Sequence, residues 1–179
     1  MENNQKPEVW LRGPLADIPP LLQPVAQAIL QVQEEINSLD NSFPNELLWK
    51  KPAGLASVGF HMQHLAGVLD RLLTYARSEP LTEEQLQYLK RESEEPFPGC
   101  TFIDLLENLN KQISSTIAQI EGTDSATLLE VRMVGRSQIP STHLGLLFHA
   151  AEHTTRHFGQ LFVTFQFLRS GLYNIPIPD

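Results

Sequence analysis

Four segments of the chain repeat apolar residues at spacings of three and four, the pattern of a helix that buries one face. The predicted helices cover roughly 21–40, 57–78, 101–121 and 141–168. The first stripe consists of Leu21, Val25, Ile29, Val32, Ile36 and Leu39, and the fourth of Leu144, Phe148, Ala151, Thr155, Phe158, Phe162 and Phe165. Because each helix must cover its stripe, we predict an all-α four-helix bundle with a long crossover connection.

Capping residues mark where these helices begin. Ser57 precedes the second helix, Thr101 the third, and either Ser141 or Thr142 the fourth. Serine and threonine side chains accept hydrogen bonds from the first free amides of a helix, so these positions support the predicted boundaries.

The connections differ in character. Residues 77–99 form a charged crossover that contains "TEEQLQYLKRE", a string compatible with a short helix. The segment before the fourth helix has β-branched residues around Val131 and Val134, which favour an extended chain.

Length and charge limit the possible roles. The 179 residues suit one domain spanning 1–179. Of these residues, 41% are hydrophobic and 19% are charged, as in ordinary folded domains. The net charge of −8 repels phosphate groups. We therefore expect neither nucleic acid nor a membrane surface as partner.

The expected compartment is the cytoplasm. The first ten residues, "MENNQKPEVW", lack the apolar core of a signal peptide, and no apolar run approaches the roughly 20 residues that span a bilayer. A single cysteine, Cys100, makes an intramolecular disulfide impossible, which fits a reducing environment. Cys100 lies in a loop-like context with no evident base, so we do not favour it as a nucleophile.

Three of the six histidines lie four residues apart in "HAAEHTTRHFGQ", residues 149–160. On a helix, His149, His153 and His157 form a ladder on one face, each step rising about 6 Å. Neighbouring imidazoles can reach one metal ion, but the outer two, about 12 Å apart, cannot. The ladder therefore offers one pair of ligands, either the upper pair of His149 and His153 or the lower pair of His153 and His157. A transition-metal site needs at least three protein ligands, so another helix must contribute.

The second helix carries two candidates for that third ligand. His61 and His64 both lie near the apolar stripe of "SVGFHMQHLAGVLDRLLTYA". From the residues alone, the histidines are compatible with a metal site, a proton relay or a polar stripe that arose by chance.

Two strings resemble motifs of the DinB/YfiT-like superfamily: "HAAEHTTRHFGQL" in the fourth helix and "HMQHLAGVLDRLLTYA" in the second. The likeness runs from about Leu21 to Leu168. It implies a four-helix bundle with a three-histidine site for a divalent metal, and carried over by position the ligands are His64, His153 and His157.

One position departs from the superfamily pattern. Members commonly have arginine after the last histidine, whereas this chain has Phe158, followed by the usual Gly159 and Gln160. Any role of that arginine is therefore absent here.

Three further residues are candidates to contact the ligands or to line the pocket beside them. His149 takes such a role or is a polar residue near the helix start. Gln160, one turn beyond the last histidine, either hydrogen-bonds to a ligand or simply packs. We interpret His61 chiefly as a structural residue.

The remaining polar candidates are assigned to the surface. We expect His143 to be exposed at the start of the fourth helix, Glu152 to be a solvated or inter-helix charge, and Asp70 with Arg71 to form a surface pair.

Three neutral imidazoles leave a divalent ion its full charge and open coordination positions, an arrangement typical of catalytic sites. Characterised members of the superfamily include thiol-dependent S-transferases and an isomerase that uses a low-molecular-weight thiol. The resemblance therefore implies a metal-dependent enzyme, either a small-thiol S-transferase or a hydrolase of a small substrate. Its cofactor would be a zinc, nickel, iron or manganese ion, with a low-molecular-weight thiol as a further candidate cosubstrate; no catalytic residue is assigned.

Two alternatives stay open. The chain could be a non-catalytic, stress-associated metal-binding protein, or a metal-free helical dimerisation module. We expect a homodimer, because small bundles of this superfamily are often dimers and the fourth helix offers aromatic residues beyond what a core needs. These are Phe158, Phe162, Phe165 and Phe167.

Overall fold

A computed structural model describes residues 6–171 of the chain. The helices are α1 (Gln23–Asn37), α2 (Asn45–Leu48), α3 (Val58–Ala76), α4 (Glu83–Arg91), α5 (Phe102–Glu121) and α6 (His143–Arg169), and the strands are β1 (Val131–Val134) and β2 (Ile139–Thr142). The predicted all-α class is confirmed, with one small hairpin added. Residues 1–5 and 172–179, which belong to the predicted domain and include half of the "MENNQKPEVW" segment, lie outside the described part.

The predicted caps are present. The hydroxyl of Ser57 accepts a hydrogen bond from the amide of the third residue of α3. Thr101 and Asp104 form a reciprocal capping box at the start of α5. Of the two candidates before α6, Thr142 is the cap and accepts from the amide of Gly145. The start of each of these long helices is therefore fixed by a short local motif.

The long helices pack in a closed order in which α1 and α3 each contact both α5 and α6. The largest fully buried side chains come from all four helices and their approaches, and they include Leu22, Ile29, Met62, Leu65, Leu109, Ile113, Phe102 and Phe165. Helix α3 is buried over most of its circumference, including polar residues such as His61, Gln63 and Arg71. Polar groups on α3 therefore need partners inside the protein.

Some residues predicted to face the core on the first and fourth helices are exposed. Leu21 is 65% exposed and its neighbour Leu22 is buried instead. On α6, Phe148 and Phe162 are exposed, and Thr155 is exposed as well. Ala151, Phe158 and Phe165 are buried as predicted, and the rest of the core face includes residues outside the predicted stripe: Leu146, Leu147, Ala150, Thr154, Leu161 and Leu168. Small residues such as Ala150 and Thr154 are buried while Phe148 and Phe162 are exposed, so aromatic residues alone do not mark the buried face.

The two connections follow their predicted character. Helix α4 forms within the charged crossover, and Thr82 with Gln85 makes its capping box. Strands β1 and β2 pair antiparallel, with Val131 opposite Thr142, and β2 runs directly into α6. Among the described residues, we find no helix that combines the length and the apolar character needed to cross a bilayer.

Candidate metal centre

The packing of α3 against α6 brings together the three histidines that the superfamily likeness singled out. The ring of His157 lies 4.4 Å from that of His64 and 4.4 Å from that of His153, between centroids. One ring nitrogen from each residue lies within 4.8 Å of the others. The lower pair of the ladder therefore joins the ligand candidate from α3. We call His64, His153 and His157 the triad.

A buried carboxylate determines which ring nitrogen of His64 carries a proton. The Nδ1 of His64 lies 2.7 Å from Oε2 of Glu92, the residue that follows α4. An ionised carboxylate can only accept, so Nδ1 carries the proton, and the neutral form of the ring then keeps its lone pair on Nε2. That Nε2 points into the triad, 2.9 Å from Nε2 of His153. A carboxylate that holds a histidine in this way is the usual support of a metal ligand.

Glu92 is itself fixed by an ion pair inside the protein. Its Oε1 accepts a hydrogen bond of 2.6 Å from Arg71, and both residues are buried. The amide of Gln63 donates to the backbone oxygen of Glu92 at 2.9 Å. Gly67 leaves the space for this arrangement, because a Cβ there would collide with Oε1 of Glu92 and with the Arg71 guanidinium. The crossover is therefore anchored on α3 beside His64.

His153 receives a hydrogen bond from a cation. One amino group of Arg156 lies 2.9 Å from Nδ1 of His153. A guanidinium can only donate, so this nitrogen is unprotonated and the neutral ring carries its proton on Nε2, facing His64. Burial, followed by the neighbouring His157 and His64, lowers the pKa of His153 to about 3.

His157 is paired with a second buried histidine. Its Nδ1 lies 3.3 Å from Nδ1 of His61, which is 4% exposed. Burial is the main cause that lowers the pKa of each ring to about 4. His153, His157 and His61 are therefore neutral at pH 7, and a neutral imidazole is the form that binds a metal ion.

A family model of the DinB superfamily matches residues 28–161, a span that contains the whole triad and Glu92. The chain belongs to the DinB superfamily. No curated protein matches the chain.

The donor set of this DinB-superfamily chain fits a transition-metal ion. Two imidazole nitrogens bound to one ion at about 2.0–2.1 Å each can be at most about 4.2 Å apart. The 2.9 Å between the Nε2 atoms of His64 and His153 lies within that limit. Imidazole is accepted by zinc, nickel, iron and manganese, so the donor chemistry does not select one of them.

A cleft of about 550 Å³ lies beside the triad. Its lining residues are Leu55, Ala56, His61, Arg156, Gly159, Gln160, Val163 and Thr164. Two of them touch the triad, since His61 contacts His157 and Arg156 contacts His153. Gln160 was a candidate to act near the ligands, and the structure places it on this cleft.

His149 lies outside the triad. Its Nδ1 is 3.3 Å from Oε2 of Glu152, and both side chains are exposed. Glu152 also pairs with Arg156 at 3.2 Å, which agrees with its interpretation as a solvated charge. At the position after the last histidine, Phe158 is buried and belongs to the core.

Two assignments to the surface were wrong. His143 is buried, with its Nδ1 3.0 Å from the hydroxyl of Thr127, because the hairpin and the turn before it cover the start of α6. Asp70 and Arg71 do not pair with each other on the surface. Arg71 points inward to Glu92, while Asp70 accepts a hydrogen bond from Gln85 of α4 at 2.8 Å.

Cys100 is a poor nucleophile, as the sequence indicated. The thiol is buried, and burial together with Asp104 and Glu95 raises its pKa to about 11. A thiol with such a pKa is protonated at pH 7, and the protonated form does not attack.

The sequence interpretation missed Glu92, Arg71 and Arg156 as partners of the triad. Glu92 is one of several acidic residues in the crossover and has no distinguishing neighbour in the chain. Gly67 carries a usable signal, because glycine inside a strong helical pattern often marks a close approach of another group.

Proposed function

We propose that the triad of His64, His153 and His157 binds a divalent transition-metal ion, and that the chain is a metal-dependent enzyme acting on a small molecule. Small-thiol S-transfer or hydrolysis of a small substrate is the reaction class. The observation that carries this proposal is the convergence of three ring nitrogens, within 4.8 Å of one another, from two packed helices.

Two neighbours of the triad, Glu92 and His61, support metal binding over a purely structural role. Glu92 accepts from Nδ1 of His64 and so directs the lone pair of Nε2 inward. His61 occupies the Nδ1 side of His157, which leaves Nε2 of that ring for a ligand role. Neutral histidines that are oriented by their outer nitrogens are what a metal site requires.

Catalysis is supported by the number of ligands and by the cleft. A site with three protein ligands keeps coordination positions for water or substrate, and the ion supplies Lewis acidity that activates water or a thiol. The cleft beside the triad has room for a small molecule and is lined on one side by apolar residues such as Leu55 and Val163. The contact of its lining residue His61 with His157 supports a substrate position near the candidate ion.

The first experiment is metal content per chain for single alanine variants of five histidines, measured by elemental mass spectrometry on untagged protein. His64→Ala, His153→Ala and His157→Ala should each lose most of the metal, because two ligands make a poor site. His149→Ala is the matched control on the same helix and should keep it. His61→Ala should keep the metal with reduced affinity. Full metal in all five variants would refute the site.

The second experiment separates an enzyme from a non-catalytic metal-binding protein. The metal-loaded chain is screened for transfer of a small thiol to electrophilic acceptors and for hydrolysis of small esters and amides. We expect turnover that chelation abolishes and added metal restores. Tight metal binding with no turnover across the screen would favour the non-catalytic alternative.

A further inference from the structure

Arg156 and a metal ion make opposite demands on the ring of His153. The 2.9 Å contact from the guanidinium requires an unprotonated Nδ1, so the proton lies on Nε2. A metal ion shared with His64 needs Nε2 without a proton. The neutral ring meets this demand by moving its proton to Nδ1, and a protonated Nδ1 cannot accept from Arg156. Metal binding therefore ends this hydrogen bond.

The guanidinium that is released belongs to the cleft. Arg156 is one of its lining residues, and its side chain is half exposed. Glu152 holds the group on this side of α6: Nε lies 3.2 Å from Oε1, and the amino group that contacts His153 also lies 3.3 Å from Oε2. Of the described residues that line the cleft, Arg156 alone carries a fixed positive charge. The amide of Gln160 and the hydroxyl of Thr164 add neutral hydrogen-bonding groups.

The residues around Arg156 could instead be interpreted as a second metal site, but the structure favours this less. His149, Glu152 and His153 also offer ligand atoms within 4.8 Å of one another. The guanidinium of Arg156 already contacts both Glu152 and His153, so a cation occupies that position. Two positive charges there would repel each other.

We propose that Arg156 binds the carboxylate of the substrate in this cleft, and that metal binding makes its guanidinium available for that contact. The inference rests on the proposed metal centre and specifies its substrate as a small monocarboxylate. The two amino groups of a guanidinium match one carboxylate in two-pronged geometry, whereas a phosphate dianion would need more positive charge than an arginine that already pairs with Glu152. Leu55 and Val163 receive the apolar part of the molecule.

The test uses the full-length chain loaded with cobalt(II), whose visible spectrum reports ligand binding. Two probes of equal size are titrated, 3-mercaptopropionate and its neutral amide, 3-mercaptopropionamide. In the unmodified chain, the carboxylate should bind about 10-fold or more tightly than the amide, the typical gain from a hydrogen bond to a charged group. Arg156→Gln should bring the ratio close to one. Arg169→Gln, the same change near the end of α6 where the arginine pairs with Asp40, should leave the ratio unchanged.

Metal affinity provides a readout that does not depend on the probes. Because metal binding must break the Arg156–His153 hydrogen bond, Arg156→Gln should bind cobalt a few-fold more tightly. Weaker cobalt binding in this variant would refute the coupling, and equal affinity for the two probes in the unmodified chain would refute carboxylate recognition. If the unmodified chain takes up no cobalt, the metal centre itself is refuted, and this inference with it. Uptake of cobalt without a preference between the probes refutes only the inference.

Discussion

Glu92 is predicted to couple metal affinity to the stability of the fold, and Glu92→Gln tests both effects. The change removes the charge that pairs with Arg71 at 2.6 Å and that orients His64 at 2.7 Å. Arg71 and Glu92 have only 9% and 4% of their side-chain surface exposed, so the arginine is left as an unpaired buried cation. Breaking a buried pair from one side costs about 3–5 kcal/mol of the free energy of unfolding. Losing the partner of a metal-binding histidine typically weakens metal affinity by about 10–100-fold.

Two assays separate these effects. Urea unfolding of the metal-free chain, followed by circular dichroism, gives the stability loss, and competition with a chelator gives the metal affinity. Glu94→Gln is the matched control, because it lies in the same segment with an exposed side chain 3.7 Å from Arg91. We expect this control to change stability by less than about 0.5 kcal/mol.

A double variant decides whether Glu92 acts on His64 directly. Adding Arg71→Met to Glu92→Gln removes the unpaired cation, and most of the lost stability should return. Metal affinity should stay low, since His64 still lacks its carboxylate. Recovery of metal affinity along with stability would show that Glu92 acts only through the fold, and our interpretation of the contact with His64 would be wrong.

Three further predictions concern the same architecture. The metal-free chain should lose stability as the pH falls from about 6.5 toward 4. The reason is that His61, His153 and His157 have folded-state pKa values of about 3–4, while unfolded histidine binds a proton near pH 6.5. Urea unfolding midpoints that do not change across that pH range would contradict this. Gly67→Ala should destabilise the chain by about 1–3 kcal/mol and weaken metal binding, whereas Gly159→Ala, with nothing within 4 Å of its added Cβ, should be neutral or slightly stabilising in urea unfolding. We also expect a homodimer through the exposed aromatic residues of α6, and light scattering that gives a monomer at tens of micromolar would reject it.

The surface available for such a dimer differs from the one the sequence suggested. Of the four phenylalanines named for it, Phe158 and Phe165 are buried in the core. Phe162 and Phe167 remain 42% and 38% exposed. A partner would therefore contact a narrower strip of α6 than the full row of aromatic residues.

Periodicity predicted the long helices because their stripes and caps are local properties. Ser57 and Thr101 act within three residues of their own position, and the apolar repeats of α3 and α5 need no knowledge of their partners. The face of α6 was harder to predict, since a small residue such as Thr154 is buried only because another helix lies close to it. Burial of that kind depends on tertiary packing, which no single stripe encodes.

The candidate site likewise contains residues that the sequence could predict and residues that it could not. His153 and His157 share one helix face, so their proximity follows from helical geometry, and the superfamily likeness supplied His64. Glu92 and Arg71 could not be found in this manner, because 21 residues separate them in the chain and their meeting depends on how the crossover folds back onto α3.

The crossover between α3 and α5 matters for the site because its residue Glu92 accepts a hydrogen bond from Nδ1 of His64. Helix α4 has no fully buried residue, and Leu86 and Tyr88 are only partly buried, so apolar packing holds it on the core weakly. Polar contacts to α3 also fix its position, such as the hydroxyl of Tyr88 donating to the backbone oxygen of Gln63 at 3.1 Å. Glu92 follows α4 directly, so any opening of this segment withdraws the carboxylate from His64. If the proposed metal centre is correct, metal affinity and the docking of α4 on α3 should depend on the same set of hydrogen bonds.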